Sequence, residues 1–188
     1  MKKIAIFASG TGTNTENIIK YFADNQNIEV SLVVSNNPLA GVHDVARRQK
    51  ISSVTFTKED FAEGSEIVKK LAVCEIDWII LAGFLKMIPE TIRSAYSDRI
   101  INIHPALLPK HGGKGMYGMR VHEAVVAARD SESGISIHYI NEHYDEGQII
   151  FRASCPVSPS DTPDDVATKV HALEYKYYPE VIEKLLNN

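Results

Sequence analysis

Asn102, His104 and Asp145 are the residues whose types and spacing suit acid–base work at a carbonyl centre. Asn102 and His104 stand two apart in Asn102-Ile103-His104-Pro105, so on an extended segment both side chains leave the same side. Pro105 biases His104 towards extended backbone, which preserves that geometry. The carboxamide of Asn102 offers a hydrogen-bond donor to a developing oxyanion, and the imidazole of His104 titrates near neutrality. The third partner such a pair needs is a carboxylate. Asp145, in the turn Tyr144-Asp145-Glu146-Gly147, is the best placed, and His138 on the preceding strand is expected to support the site from behind. Each of these residue types alone is more often structural than catalytic, so the reading rests on their convergence in space.

A second feature is Ser9-Gly10-Thr11-Gly12-Thr13-Asn14, where the first strand meets the first helix. Glycines let the backbone approach a ligand closely, and the amides and dipole at a helix start favour an anion. The dinucleotide fingerprint would place a third glycine where Thr15 stands, and no Gly-Lys-Ser/Thr follows. A phosphate monoester therefore fits better than a pyrophosphate, with a purely structural turn as the alternative.

The elements that must hold these residues alternate along the chain. Apolar strands are predicted at Lys3–Ala8, Val30–Ser35, Val54–Phe56, Trp78–Ala82 and Arg99–Ile103. Helices are predicted at Asn14–Ala23, Val42–Gln49 and Glu66–Val73, with a helical turn started by Pro89. Strands apolar throughout and separated by helices imply a parallel sheet covered on both faces, hence an α/β, Rossmann-like, doubly wound fold. Towards the C-terminus, Ile135–Ile140 alternates in polarity. With Gln148–Ala153 it predicts an antiparallel hairpin across the turn at 145–147. A long terminal helix follows over Pro163–Leu186, interrupted or bent near Pro179. The stretch Pro109–Met119, with four glycines, is the longest irregular segment, and loops of this length are usually functional or mobile. No repeat or linker is visible, so residues 1–188 are expected to form one domain.

Composition sets the outer bounds. The chain has 188 residues, 44% hydrophobic and 23% charged, near the globular average. A net charge of -4 gives no basic stripe of the kind nucleic-acid binding needs. No apolar run reaches the roughly 18 residues that would cross a bilayer, and the N-terminal apolar run lacks a cleavage-site pattern. A cytoplasmic location is expected. Cys74 and Cys155 have apolar neighbours and no metal-type spacing, so they are expected to be small core residues.

Ser9–Asn14, Leu81-Ala82-Gly83-Phe84, Asn102-Ile103-His104-Pro105-Ala106-Leu107-Leu108-Pro109 and Asp145-Glu146-Gly147 occur in this order and span almost the whole chain. With these landmarks the sequence resembles the phosphoribosylglycinamide formyltransferase family, folate-dependent enzymes of purine synthesis. The resemblance implies that Gly12, Thr13 and Asn14 hold a substrate phosphate. It implies a folate groove at Leu85, Lys86, Met87 and Ile88, with Asn102 and the turn Asn141, Glu142, His143, Tyr144 and Asp145. It also implies nucleotide contacts at His171, Ala172, Leu173 and Glu174, with Glu174 a partner of the nucleophilic amine. Read without the resemblance, Leu85–Ile88 is an apolar helix start and Glu174 a solvated carboxylate.

The activity so implied is transfer of the formyl group of 10-formyltetrahydrofolate, a co-substrate, to the amine of glycinamide ribonucleotide. Both partners are small molecules, and neither metal, nucleic acid nor membrane is called for. Asn102 and protonated His104 would hold the oxyanion of a tetrahedral intermediate, while Asp145 raises the pKa of His104 and relays protons. Two departures stand out. No arginine occurs between Ile51 and Ile92 to meet a folate glutamate tail, leaving Lys58 as the stand-in. The segment His111–Met119 is longer and richer in glycine and methionine than the family pattern; Lys110 before it and Lys114 within it stand as cations for phosphate or carboxylate groups, or as solvated loop lysines.

The competing readings are formyltetrahydrofolate hydrolase and methionyl-tRNA formyltransferase, of the same fold, and a non-catalytic phosphate- or nucleotide-binding module. The chain's length is expected to disfavour the first two, which carry additional domains. The third leaves Asn102, His104 and Asp145 without employment.

Overall fold

The computed structural model describes residues 1–187. Seven strands form a sheet in the order β3-β2-β1-β4-β5-β6-β7. The chain divides into two compact units, Met1–Ile101 with the chain from Ile182 onward, and Asn102–Val181.

The first unit carries β1 (Lys2–Phe7), α1 (Thr13–Phe22), β2 (Ile28–Ser35), α2 (Val42–Arg48), β3 (Ser52–Thr55), α3 (Lys58–Glu63), α4 (Ser65–Val73), β4 (Trp78–Leu81) and α5 (Glu90–Ala95), and enters β5 (Ile100–His104). β1 pairs in parallel with β2 on one side and β4 on the other, and β2 pairs in parallel with β3. Ile4, Ala5, Ile6 and Phe7 are fully buried. A strand flanked on both sides and covered on both faces must be apolar at consecutive positions, which is why the run reads as continuous rather than alternating. Each large side chain of that run contributes about 1.5–3 kcal/mol by leaving water. The strand order reverses between β1 and β4, so both open their carboxyl ends at a switch point, where such sheets bind ligands.

The second unit holds the end of β5, α6 (Met119–Ala127), β6 (Glu132–Tyr139), β7 (Ile149–Pro156) and most of α7 (Pro163–Asn187). β6 and β7 pair antiparallel, with an irregular register between Ile137 and His138. A bulge of this kind redirects the side chain beside it. Thr162 and Asp165 start α7 with reciprocal hydrogen bonds, Asp165 N–H to Thr162 Oγ1 at 3.2 Å and Thr162 N–H to Asp165 Oδ2 at 2.9 Å.

α7 runs as a single helix with Pro179 inside it, so of the interruption or bend expected there the interruption is absent. Both sides of the alternation in β6 are buried, Ser133, Ser136 and His138 with Ile135 and Ile137. One expectation changes. Cys74 and Cys155 are free thiols only half-buried, Cys74 at the end of α4. Two helices were not foreseen. α3 is short and rests on the capping box of Thr57 and Asp60, and α6 begins where the irregular stretch stops. No described helix is long and apolar enough to cross a membrane.

Candidate active site

In the first unit, Gly12 is the N-cap of α1 with φ 82° and ψ 23°, a left-handed conformation. A Cβ there would also come within 2.8 Å of the Val42 side chain. Only glycine meets both demands. No cap side chain covers the first turn of α1. Its one acid, Glu16, is paired with Lys20 at 2.9 Å and stands 3.7 Å from Arg48, so its charge does not oppose an anion at the helix start. Ser9 ties the loop to the segment after β4: its N–H donates to Gly83 O (3.0 Å), and its Oγ accepts from Leu85 N–H (3.0 Å) and donates to Asn36 Oδ1 (2.6 Å). That segment is irregular. Leu85, Lys86 and Met87 are exposed and Ile88 is buried, so the apolar helix start expected of these residues on residue type alone is not there.

The second unit gathers the acid–base residues. His104, 3% exposed, ends β5, and its Nδ1 stands 3.4 Å from Asp145 Oδ2. His104 Nε2 lies 2.8 Å from the carbonyl oxygen of His111. A carbonyl only accepts, so Nε2 carries the hydrogen and Nδ1 is the position left to gain or lose a proton. His138 is fixed by the same logic. Its Nδ1 donates to Tyr139 O (2.8 Å), which leaves Nε2 to accept from Asn102 Nδ2 (3.2 Å). His138 Nε2 is also 3.7 Å from Asp145 Oδ1. Asn102, His104, His138 and Asp145 are thus brought together.

Local backbone explains how. Ser136 Oγ on β6 accepts from Leu108 N–H (3.0 Å) and donates to Ala106 O (2.8 Å), fastening the segment just beyond His104. Asp145 takes a left-handed φ of 58° in the turn, and Gly113 N–H donates to its Oδ2 at 2.9 Å. Gly147 lets the chain return, since a Cβ there would overlap the carbonyl of Tyr139. Of the rest of the turn, Asn141 Oδ1 accepts from His143 N–H (2.9 Å), while Glu142, His143 and Tyr144 face solvent.

Burial is the largest influence on His104 and pushes its pKa below the ordinary 6.5; the Asp145 carboxylate and the His111 carbonyl pull upward without prevailing. Asp145 thus acts on His104 in the expected direction, but desolvation outweighs it. For Asp145, burial pushes the pKa up, yet the facing His138, the charge of His104 and the Gly113 amide together bring it below the usual 3.8. At neutral pH, above both lowered values, the pair is a neutral imidazole beside an ionised carboxylate.

On α7, Glu174 is 4% exposed, which overturns the solvated-carboxylate alternative. Its Oε2 is 2.8 Å from His171 Nδ1, and this hydrogen bond raises the pKa of His171. His171 and Glu174 share a helix face at spacing three, whereas Ala172 is exposed and Leu173 half-buried. His122 on α6 was missed from sequence. It is 1% exposed, its ring stands edge-on to His171 at 6.1 Å, and its Nδ1 has no hydrogen-bond partner. The available signal was its place beside Val121 and Val125, the buried face of a helix not foreseen.

Residues 2–182 match the model of the family described as formyl transferase. The chain is 41% identical over 187 residues to the chloroplastic phosphoribosylglycinamide formyltransferase of Arabidopsis thaliana, covering 96% of this chain but 64% of that protein. It is 36% identical over 191 residues to the phosphoribosylglycinamide formyltransferase of Bacillus subtilis, covering 99% of this chain and 95% of that one. The crystal structure of phosphoribosylglycinamide formyltransferase from Streptococcus pneumoniae superposes with a TM-score of 0.87 at 34% identity, over 98% of this chain and 99% of that chain. With a matching sheet, a glycine-capped first helix and a cluster of Asn102 and Asp145 about the buried His104, the chain belongs to the formyl transferase family.

Proposed function

We propose that this chain transfers the formyl group of 10-formyltetrahydrofolate to the amine of glycinamide ribonucleotide, a step of purine biosynthesis, in the cytoplasm. The observation that carries the reading is the buried His104 Nδ1 facing Asp145 Oδ2 at 3.4 Å with its other nitrogen held by a backbone carbonyl. The neutral amine attacks the formyl carbon, forming the C–N bond and leaving an oxyanion and an ammonium. His104 accepts a proton at Nδ1 as the charge develops, and the resulting imidazolium is stabilised by Asp145 and faces the oxyanion. Asn102, its amide held by His138 through one N–H, keeps the other N–H for the same oxygen. The proton passes to the folate nitrogen, the bond from that nitrogen to the formyl carbon breaks, and the carbonyl re-forms. Products are the formylated nucleotide and tetrahydrofolate.

In the same reading Gly12, Thr13 and Asn14 take the phosphate, and Leu85, Lys86, Met87, Ile88 and the 141–145 turn flank the folate. The nucleotide runs along His171–Glu174, where the buried carboxylate of Glu174 meets the amine. The test is an assay of tetrahydrofolate release from 10-formyltetrahydrofolate with and without glycinamide ribonucleotide. Release that requires the nucleotide is expected; release indifferent to it would assign the chain to hydrolysis instead.

A further inference from the structure

His111 has no part in the chemistry above, yet its backbone carbonyl is the hydrogen-bond partner of His104 Nε2 at 2.8 Å. Its own side chain points elsewhere, to Asp130, with Nε2 to Oδ2 at 2.6 Å. Asp130 takes Lys110 Nζ on its other oxygen at 2.5 Å, and these two hydrogen bonds hold its carboxyl below the usual range. Asp130 is in turn fixed by the end of α6. Its N–H donates to Val125 O (3.2 Å) and the N–H of Arg129 donates to Val126 O (3.0 Å), with Arg129 left-handed at φ 53°. This is the paired hydrogen-bond pattern that closes a helix and sets the direction of the residues after it.

The consequence is a continuous mechanical chain from a helix end to a titrating ring. α6 fixes Asp130, Asp130 fixes the His111 side chain, and His111, itself left-handed at φ 55°, presents its carbonyl to His104. Two residues further on, Gly113 N–H donates to Asp145 Oδ2 at 2.9 Å. One short stretch of backbone, residues 111–113, therefore grips both the imidazole and the carboxylate.

We propose that the His111–Asp130 pair is a positioning device: by anchoring residues 111–113 to the end of α6 it fixes the tautomer of His104 and the orientation of Asp145 for proton transfer at Nδ1. Without the anchor, glycines 112 and 113 leave that stretch with little intrinsic stiffness, and the His104 hydrogen is no longer confined to Nε2. The inference rests on the formyl-transfer reading for its catalytic consequence, but not for its structural one.

The test compares His111→Ala, Asp130→Ala and the double variant with the unsubstituted protein. Each single variant is expected to lower kcat by about 10- to 100-fold, the scale set by small misplacements of reacting groups, with KM changed by less than about threefold. The double variant is expected to be no worse than either single one, because both changes break one link. Imidazole 15N spectra supply a readout independent of turnover. The unsubstituted protein should show His104 as a single Nε2–H tautomer with a slowly exchanging proton, and both variants should show mixed tautomers with fast exchange. Additive losses, or folded variants that retain the single tautomer and the full kcat, would overturn the proposal. An unsubstituted protein that releases no tetrahydrofolate in a nucleotide-dependent way would defeat the formyl-transfer reading, while the spectra would still decide whether the anchor holds His104.

Discussion

His104 works at Nδ1 because its other nitrogen is already bound, and it works neutral because it is buried. A base that begins neutral and gains charge in the transition state receives its stabilisation from Asp145 only as the reaction proceeds, which is the condition for lowering a barrier rather than tightening ground-state binding. The pH dependence follows with a definite sign. Protonating His104 in the free enzyme removes the acceptor, so kcat/KM should fall on the acid side. The midpoint should lie below 6.5, since burial lowers the folded pKa, and Asp145 stays ionised throughout that range. A pH–rate profile with its acid limb centred above 6.5 would contradict the neutral-base role. His104→Ala should lose roughly 100-fold or more in kcat, comparable to deleting one group that stabilises an oxyanion, with KM little changed. The types and spacing of Asn102 and His104 made this pair legible in the sequence. The tautomer was not legible, because it is set by the carbonyl of His111, and a backbone carbonyl leaves no trace in residue type.

At the scale of elements, the phosphate-loop proposal and a plain structural turn make the same stability prediction for Gly12 and different ones for ligand binding. Any L-residue there incurs the left-handed penalty of about 1–2 kcal/mol, and displacing Val42 to admit a Cβ adds about 1–3 kcal/mol, so Gly12→Ala should destabilise on either reading. Only a ligand-binding loop also predicts a nucleotide KM raised by about tenfold or more at temperatures where the variant is folded, because the first-turn amides of α1 lose their aim. Denaturant unfolding and steady-state kinetics on one preparation separate the two, and an unchanged nucleotide KM would leave only the turn. Elements with a strong signal, the continuous apolar runs of β1 and β4 and the helical period of α1, were readable to within a residue or two. α6 was not, because Met119–Ala127 follows a glycine-rich stretch and a polar residue, His122, takes one of its buried positions. The same omission hid Asp130, whose place depends on how α6 ends. The alternation of β6 marked a strand, but residue type alone does not show what its polar side meets: Ser136 is bonded to Ala106 and Leu108, and His138 to Asn102.

For the molecule as a whole, the buried imidazoles link stability to pH from both sides of neutrality. His104 and His122 have folded pKa values below 6.5, burial being the largest cause in each. Between those values and 6.5 the unfolded chain binds protons that the folded chain refuses, so stability falls as pH falls through that window. The slope is at most about 1.4 kcal/mol per pH unit for each proton. His171 acts in the opposite sense: its hydrogen bond to Glu174 raises its folded pKa, so its contribution is complete below 6.5 and is lost as pH climbs through the folded value. Half-exposed, it contributes less than the buried pair. Stability should therefore peak near neutrality and decline more steeply on the acid side, well before the carboxylates titrate. Urea unfolding at about pH 7 and about pH 5.5 measures the acid arm, and replacing His122, which the proposed chemistry does not use, by Gln should flatten that arm by removing one of its two imidazoles. An acid arm equally steep without His122 would mean that its ring binds its proton as readily folded as unfolded, and that the buried cluster beside Glu174 does not exclude charge.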